Sequence, residues 1–272
     1  GKRASAAVFS MLPTAQAIAD APILSHAAFV GLFWVIWLVA YVVCHLIGVR
    51  KQKLVNIMAS SLTAYLHAIP MCIFCFHLLN ARGWTPLGPW DAVDFTGVNT
   101  AGEVAAISFC QGFMIFDTLM MWYQRSDETL YQLHHVGVLI HMTACLMIGR
   151  GGLHICLCAL LGEMTNPVQN TWIISCSLYQ DQMASHSVRR ALTWATLGVL
   201  CPVRFLYIPW AMIAVFCRCM LLSPGEGALQ IPLGVRVLWC FIPVAVLAGT
   251  VLFVKGLLEG EMVRREVKSK SK

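Results

Sequence analysis

The sequence predicts an all-α, polytopic transmembrane bundle of about seven helices, and three observations predict it. Of 272 residues, 58% are hydrophobic and only 12% charged, with a mean hydropathy of +0.72, whereas a soluble domain carries about 25% charged residues. Apolar runs of roughly 20 residues recur without the alternation of a β-barrel, and a backbone in hydrocarbon must satisfy its own polar groups, which a helix does. Lys and Arg gather in short loops that fall on one side of these runs.

The runs lie at about 24–48, 54–80, 101–123, 131–149, 152–177, 191–217 and 232–257. The first is longer than a secretory h-region and reads as a retained helix. The chain opens on Gly1 without a Met, which is expected of a trimmed or partial product. Residues 81–100 form the one long loop, a Trp/Pro/Gly segment with Trp84 and Trp90 suited to a membrane interface. No internal repeat or low-complexity tract interrupts the chain. It divides into 1–53, carrying the first helix, a membrane domain at 54–257, and a basic tail at 258–272.

Orientation follows from the cations. Arg50, Lys51, Lys53, Arg125, Arg189, Arg190, Lys255 and the tail residues Arg264, Arg265, Lys268, Lys270 and Lys272 share one side. The other holds Lys2, Arg3, Arg82, Arg150 and Arg218, with the acidic Asp91, Asp94 and Glu103. This predicts an outer N-terminus and a cytosolic C-terminus. The net charge of +6 is then a membrane collar, and no nucleic-acid partner is expected.

The twelve cysteines fall within or beside apolar spans, where a thiol behaves as a small hydrophobe rather than as part of a disulfide framework. Cys72, Cys75 and His77 have ligand-like spacing but lack further donors, and no metal is assigned.

Polar residues inside the spans carry the functional signal, because an ionisable side chain at the centre of a membrane helix costs about 2.5–3.5 kcal/mol and requires a partner or a cavity. The second span places Asn56, Ser60, Thr63 and His67 on one stripe, readable as inter-helix hydrogen bonding or as a cavity wall. The fifth places Glu163, Asn166 and Asn170 on one face, with Pro167 opening the backbone ladder. Asp117 stands near the end of the third span, His134, His135 and His141 follow on the fourth, and Arg204 sits mid-way along the sixth. Two carboxylates, an arginine and several imidazoles make either a structural ion-pair network or a polar chamber, in which an imidazole beside a carboxylate acts as base or nucleophile.

The ordered set Asn56, Ser60, His67-Ala68, then Gly112 to Asp117, Leu133-His134-His135, Leu161 to Pro167 with Asn170, and Val203-Arg204 resembles the TLC-domain family. That family includes the ceramide synthases, the translocating-chain-associated membrane protein and small TLC-domain proteins. The resemblance covers 54–257 and implies six helices arranged as a barrel around a lipid-accessible cavity, an endoplasmic-reticulum location and a role in lipid homeostasis. Membrane lipids are the implied partners. Carried over from the synthases, His134 and His135, with Asp117, would be catalytic, and acyl-CoA the co-substrate; no other cofactor is implied. The remaining cavity residues would be Asn56, Ser60, His67, His141, Glu163, Asn166, Asn170 and Arg204. The synthases continue into an acidic His-Asp-x-x-Asp stretch, whereas this chain reads Leu160-Leu161-Gly162-Glu163-Met164-Thr165-Asn166-Pro167, closer to the small TLC-domain proteins.

The tail lysines Lys268, Lys270 and Lys272 resemble a dilysine-type retrieval signal for cytosolic coat proteins, or a basic patch for anionic lipid. The expected function is binding or processing of an acyl lipid in an intramembrane polar cavity. The alternatives are a ceramide-synthase-like N-acyltransferase and a seven-helix receptor or transporter.

Overall fold

Each apolar run folds as helix. The computed structural model describes residues 18, 20–88, 90, 93–124, 129–211, 213, 215, 220–222 and 224–270. Helix α1 is Pro22–Leu46, with proline in its first turn, where the missing N–H is no loss. Helix α2 is Gln52–Ala81 and α3 is Ala101–Tyr123. Thr100 caps α3: its hydroxyl accepts from the Glu103 amide, and the Glu103 carboxylate accepts from the Thr100 amide at 2.9 Å. Helix α4 is Thr129–Ile148. Gly149 and Gly151, at φ of +71° and +83°, turn the chain tightly into α5, Gly152–Glu163.

The expected fifth span is divided. It runs as α5 and then as α6, Asn166–Gln180, with Pro167 in the first turn of α6. Proline cannot donate to the carbonyl four residues back, and the ladder breaks just before it. Helix α7, His186–Pro202, is capped by Ser185 and passes at Pro202 into a π-helical turn, Val203–Tyr207, and a short α8, Ile208–Ala211. After the short helix α9, Glu226–Leu229, α10 covers Leu233–Lys270, so helix continues through most of the segment expected as a tail.

Among the described residues, five segments are long and apolar enough to cross a membrane: Leu24–Leu46, Gln52–Ala81, Ala101–Tyr123, His186–Ala211 and Leu233–Lys255. The apolar Gln132–Ile148 is shorter, and α5 with α6 makes up the remaining expected span. The chain is an integral membrane protein. Its apolar exterior agrees, with Met147 83% and Leu206 72% exposed in places where a soluble protein would carry charge.

Helix α1 packs along α2 and α3, α2 against α5 and α6, and α10 against α4. The approach of α1 to α3 depends on Gly112, where an added Cβ would run into Phe29. Phe33, fully buried, sits among Phe109, Phe113 and Phe116 with ring centroids 5.2–6.2 Å away.

The loops close in pairs. At one end the Arg50 amide donates to the Asp181 carboxylate at 2.8 Å, and Lys51 Nζ to the Gln180 carbonyl. At the other, the Gly152 amide donates to Asn99 Oδ1 at 2.6 Å, and Arg82 pairs with Glu103 at 3.3 Å. Trp84 and Trp90 are buried and stacked on each other, and Trp90 also packs on Trp210 at 4.5 Å. Lys2, Arg3, Asp91, Arg125, Cys217, Arg218, Cys219 and Lys272 lie outside the described residues, as do the side chains of Arg264, Arg265, Lys268 and Lys270.

Candidate functional site

Helices α2 to α8 and α10 line a partly open cavity of about 950 Å³, to which none of the described side chains of α1 contributes. The size is at the upper end of the ~300–1,000 Å³ usual for ligand pockets. Most of the wall is apolar, with α4 and α10 supplying residues such as Leu133, Val138, Leu238 and Phe241. The polar groups come from the spans that the sequence singled out.

Asp117, His134, His135, His141, Glu163, Asn166, Asn170 and Arg204 all line this cavity. Three others stand outside its lining. Asn56 accepts from Gln52 Nε2 at 2.9 Å, and Ser60 accepts from Gln124 Nε2 at 3.3 Å, so both serve as hydrogen-bond links near the helix ends. His67 lies behind the wall, fully buried and stacked on Phe113 with centroids 4.0 Å apart and planes 7° from parallel.

Two acid–imidazole pairs organise the polar part. His67 Nδ1 is 3.7 Å from Glu163 Oε2, the same oxygen that accepts from Asn166 Nδ2 at 2.7 Å. His135 Nε2 is 3.6 Å from Asp117 Oδ2, and His135 Nδ1 is 3.4 Å from Thr118 Oγ1. Thr118 spends its own proton on the Met114 carbonyl at 2.6 Å, so its oxygen receives from Nδ1–H. The bare Nε2 then faces the Asp117 carboxylate. His134 neighbours His135, with ring centroids 5.7 Å apart.

Arg204 is fixed by the break between α5 and α6. Its Nη2 donates to the Gly162 carbonyl at 2.8 Å and to Thr165 Oγ1 at 2.9 Å, and its Nε to Thr165 Oγ1 at 3.2 Å. A carbonyl at a helix end without an intrahelical partner is a natural acceptor for a guanidinium. The π-helical turn that carries Arg204 begins at Val203, directly after Pro202, and such turns concentrate at functional sites.

Sequence reasoning missed Thr165, Gln169 and the cluster of His141, His154 and Cys158. Thr165 had no periodic signal. His154 and Cys158, four apart, did share a helix face, but His141 reaches them from another helix. Among the described residues, two triads bring metal-compatible donor atoms within 4.8 Å of one another: His67, Cys110 and Glu163, and His141, His154 and Cys158. In the first, Glu163 is already taken by Asn166. Cys72, Cys75 and His77 do not converge, since Cys75 is buried and His77 exposed. The described cysteines form no disulfide.

A helical bundle in the membrane, built around a partly open and mainly apolar chamber with carboxylates, imidazoles and a guanidinium on its wall, defines an integral membrane protein with a polar site within the bundle. The TLC-domain family model matches residues 57–256. The chain belongs to the TLC-domain family. No curated protein and no solved structure matches it.

Proposed function

We propose that this protein acts in membrane lipid homeostasis, binding or processing an acyl lipid in the cavity. The observation that carries this reading is the cavity's two-part wall: apolar side chains of α4 and α10 suit a hydrocarbon chain, and Asp117, His135, Glu163 and Arg204 suit a polar head. Of the five described segments of membrane length, α10 is the least buried, with 13% of its apolar stretch inside the bundle. The test is lipid analysis of the purified protein. A co-purifying acyl lipid should be lost in Asp117→Leu, Glu163→Leu and His67→Leu; lipid content unchanged in all three would defeat the reading.

A second reading, N-acyl transfer from acyl-CoA to a sphingoid base or similar amine, is favoured by one feature. His135 is oriented by Asp117 and Thr118 on its two nitrogens, and the neighbouring His134 lines the cavity. His134, its ring 5.7 Å from that of His135, is then the imidazole placed on the cavity wall to serve as a general base. Incubation with radiolabelled long-chain acyl-CoA separates the readings. Labelled amide formed by the wild type from acyl-CoA and an added amine, with free CoA released, and lost in His134→Ala or His135→Ala supports transfer; no amide product from folded protein leaves binding.

An endoplasmic-reticulum location with a cytosolic C-terminus fits the family resemblance and the basic clusters. Protease access to a C-terminal tag in sealed microsomes tests the orientation.

A further inference from the structure

We propose that His141, His154 and Cys158 form an intramembrane zinc(II) site, separate from the polar group around Asp117 and Glu163. His154 and Cys158 lie one turn apart on α5 and so share a face. His141 reaches them from α4 across the tight turn at Gly149 and Gly151. Their ligand atoms lie within 4.8 Å of one another. Tetrahedral zinc, with Zn–N near 2.1 Å and Zn–S near 2.3 Å, separates its ligand atoms by about 3.3–3.8 Å, so closure takes about 1 Å of side-chain rotation.

Three further observations support a ligand there. His141 is 4% exposed, and its Nε2 has no hydrogen-bond partner despite complete burial, a state that ordinary packing avoids. Trp239 lies against both imidazoles, at 5.3 Å from His141 and 5.4 Å from His154, giving the apolar shell that restrains metal ligands. His141 and Cys158 line the cavity while His154 does not, so the three protein donors leave the fourth position turned toward the cavity, where a water or lipid oxygen completes the coordination. Thiolate with imidazole selects zinc over calcium or magnesium. On binding, the Cys158 thiol gives up its proton and the sulfur enters as thiolate. The site is about 10 Å along α4 from His134, seven residues at the helical rise.

The test uses full-length protein in detergent, incubated with zinc(II), desalted and assayed by mass-spectrometric metal analysis, with cobalt(II) as the optical probe. One zinc per chain and a thiolate-to-cobalt charge-transfer band are expected in the wild type and in the control Cys201→Ser. Both should fall at least tenfold in Cys158→Ser and His154→Leu. Cys158→Ser changes a single atom and keeps the test decisive if His154→Leu fails to fold. Monodisperse wild type that retains no zinc, or equal retention in wild type and Cys158→Ser, overturns the proposal. The readout does not involve lipid, so it stands or fails independently of the proposed function.

Discussion

Arg204 Nη2 donates to the carbonyl oxygen of Gly162 at 2.8 Å, so a guanidinium from the π-helical turn closes the end of α5. The same side chain holds Thr165 in the joint before α6. Arg204 is 8% exposed, which makes it a structural tie as well as a cavity cation. Arg204→Met should leave the Gly162 carbonyl only the 3.4 Å hydrogen bond from the Thr165 hydroxyl and lower stability by about 1–3 kcal/mol. Arg204→Lys keeps the charge but not the fork, and should recover only part of that. Thermal unfolding in detergent measures both; a methionine variant as stable as the wild type would show that the joint holds without it.

Glu163 occupies one side of the same joint. Glu163→Gln keeps an oxygen for the Asn166 amide, while Glu163→Leu leaves that amide and His67 facing an apolar group. The leucine variant should lose about 1–3 kcal/mol and the glutamine variant less. Equal melting temperatures for the two would contradict the hydrogen-bond account.

Thr100→Ala removes the hydroxyl that accepts from the Glu103 amide. The expected loss is about 1 kcal/mol. Amide exchange should rise in the first turn of α3 and stay unchanged in α7. Uniform exchange along the chain would instead mean a global effect.

Gly151 has a φ of +83°, and a Cβ there would approach the Trp239 ring to 2.6 Å. Gly151→Ala should cost about 2–4 kcal/mol through left-handed strain and displacement of the ring. Gly137→Ala, on a helix with nothing within 4 Å of its Cβ, should be neutral or stabilising by up to about 1 kcal/mol. A melting temperature for Gly151→Ala matching that of Gly137→Ala would rule out the close packing of Trp239.

The helices were legible because hydrocarbon imposes one strong rule on long apolar runs. The expected 54–80 and 101–123 differ from the observed Gln52–Ala81 and Ala101–Tyr123 by at most two residues at an end. Pro167 announced a disturbance in the fifth span, and the break falls at the two residues before Asn166. Pro202 carried the same kind of signal for the π-helical turn and went unused. Polar residues at helical spacing led to Glu163, Asn166 and Asn170, which do share the cavity wall. The same spacing placed Asn56 and Ser60 on the His67 stripe, yet a stripe does not tell how far along a helix a cavity extends. The His141–His154–Cys158 cluster depends on register between α4 and α5, which is set by the glycine turn and Trp239 and leaves no periodic trace.

The joint between α5 and α6 also bears on how the chain is made. At 12 and 15 residues, these helices reach about 18 Å and 22 Å, each short of the ~30 Å hydrocarbon core. Neither crosses alone. Arg204 follows Gly162 by 42 residues, so a ribosome delivers both half-helices well before the guanidinium that fastens them. During synthesis α2 is already present to pack against both half-helices, and the guanidinium tie between them is added only when the sixth crossing arrives.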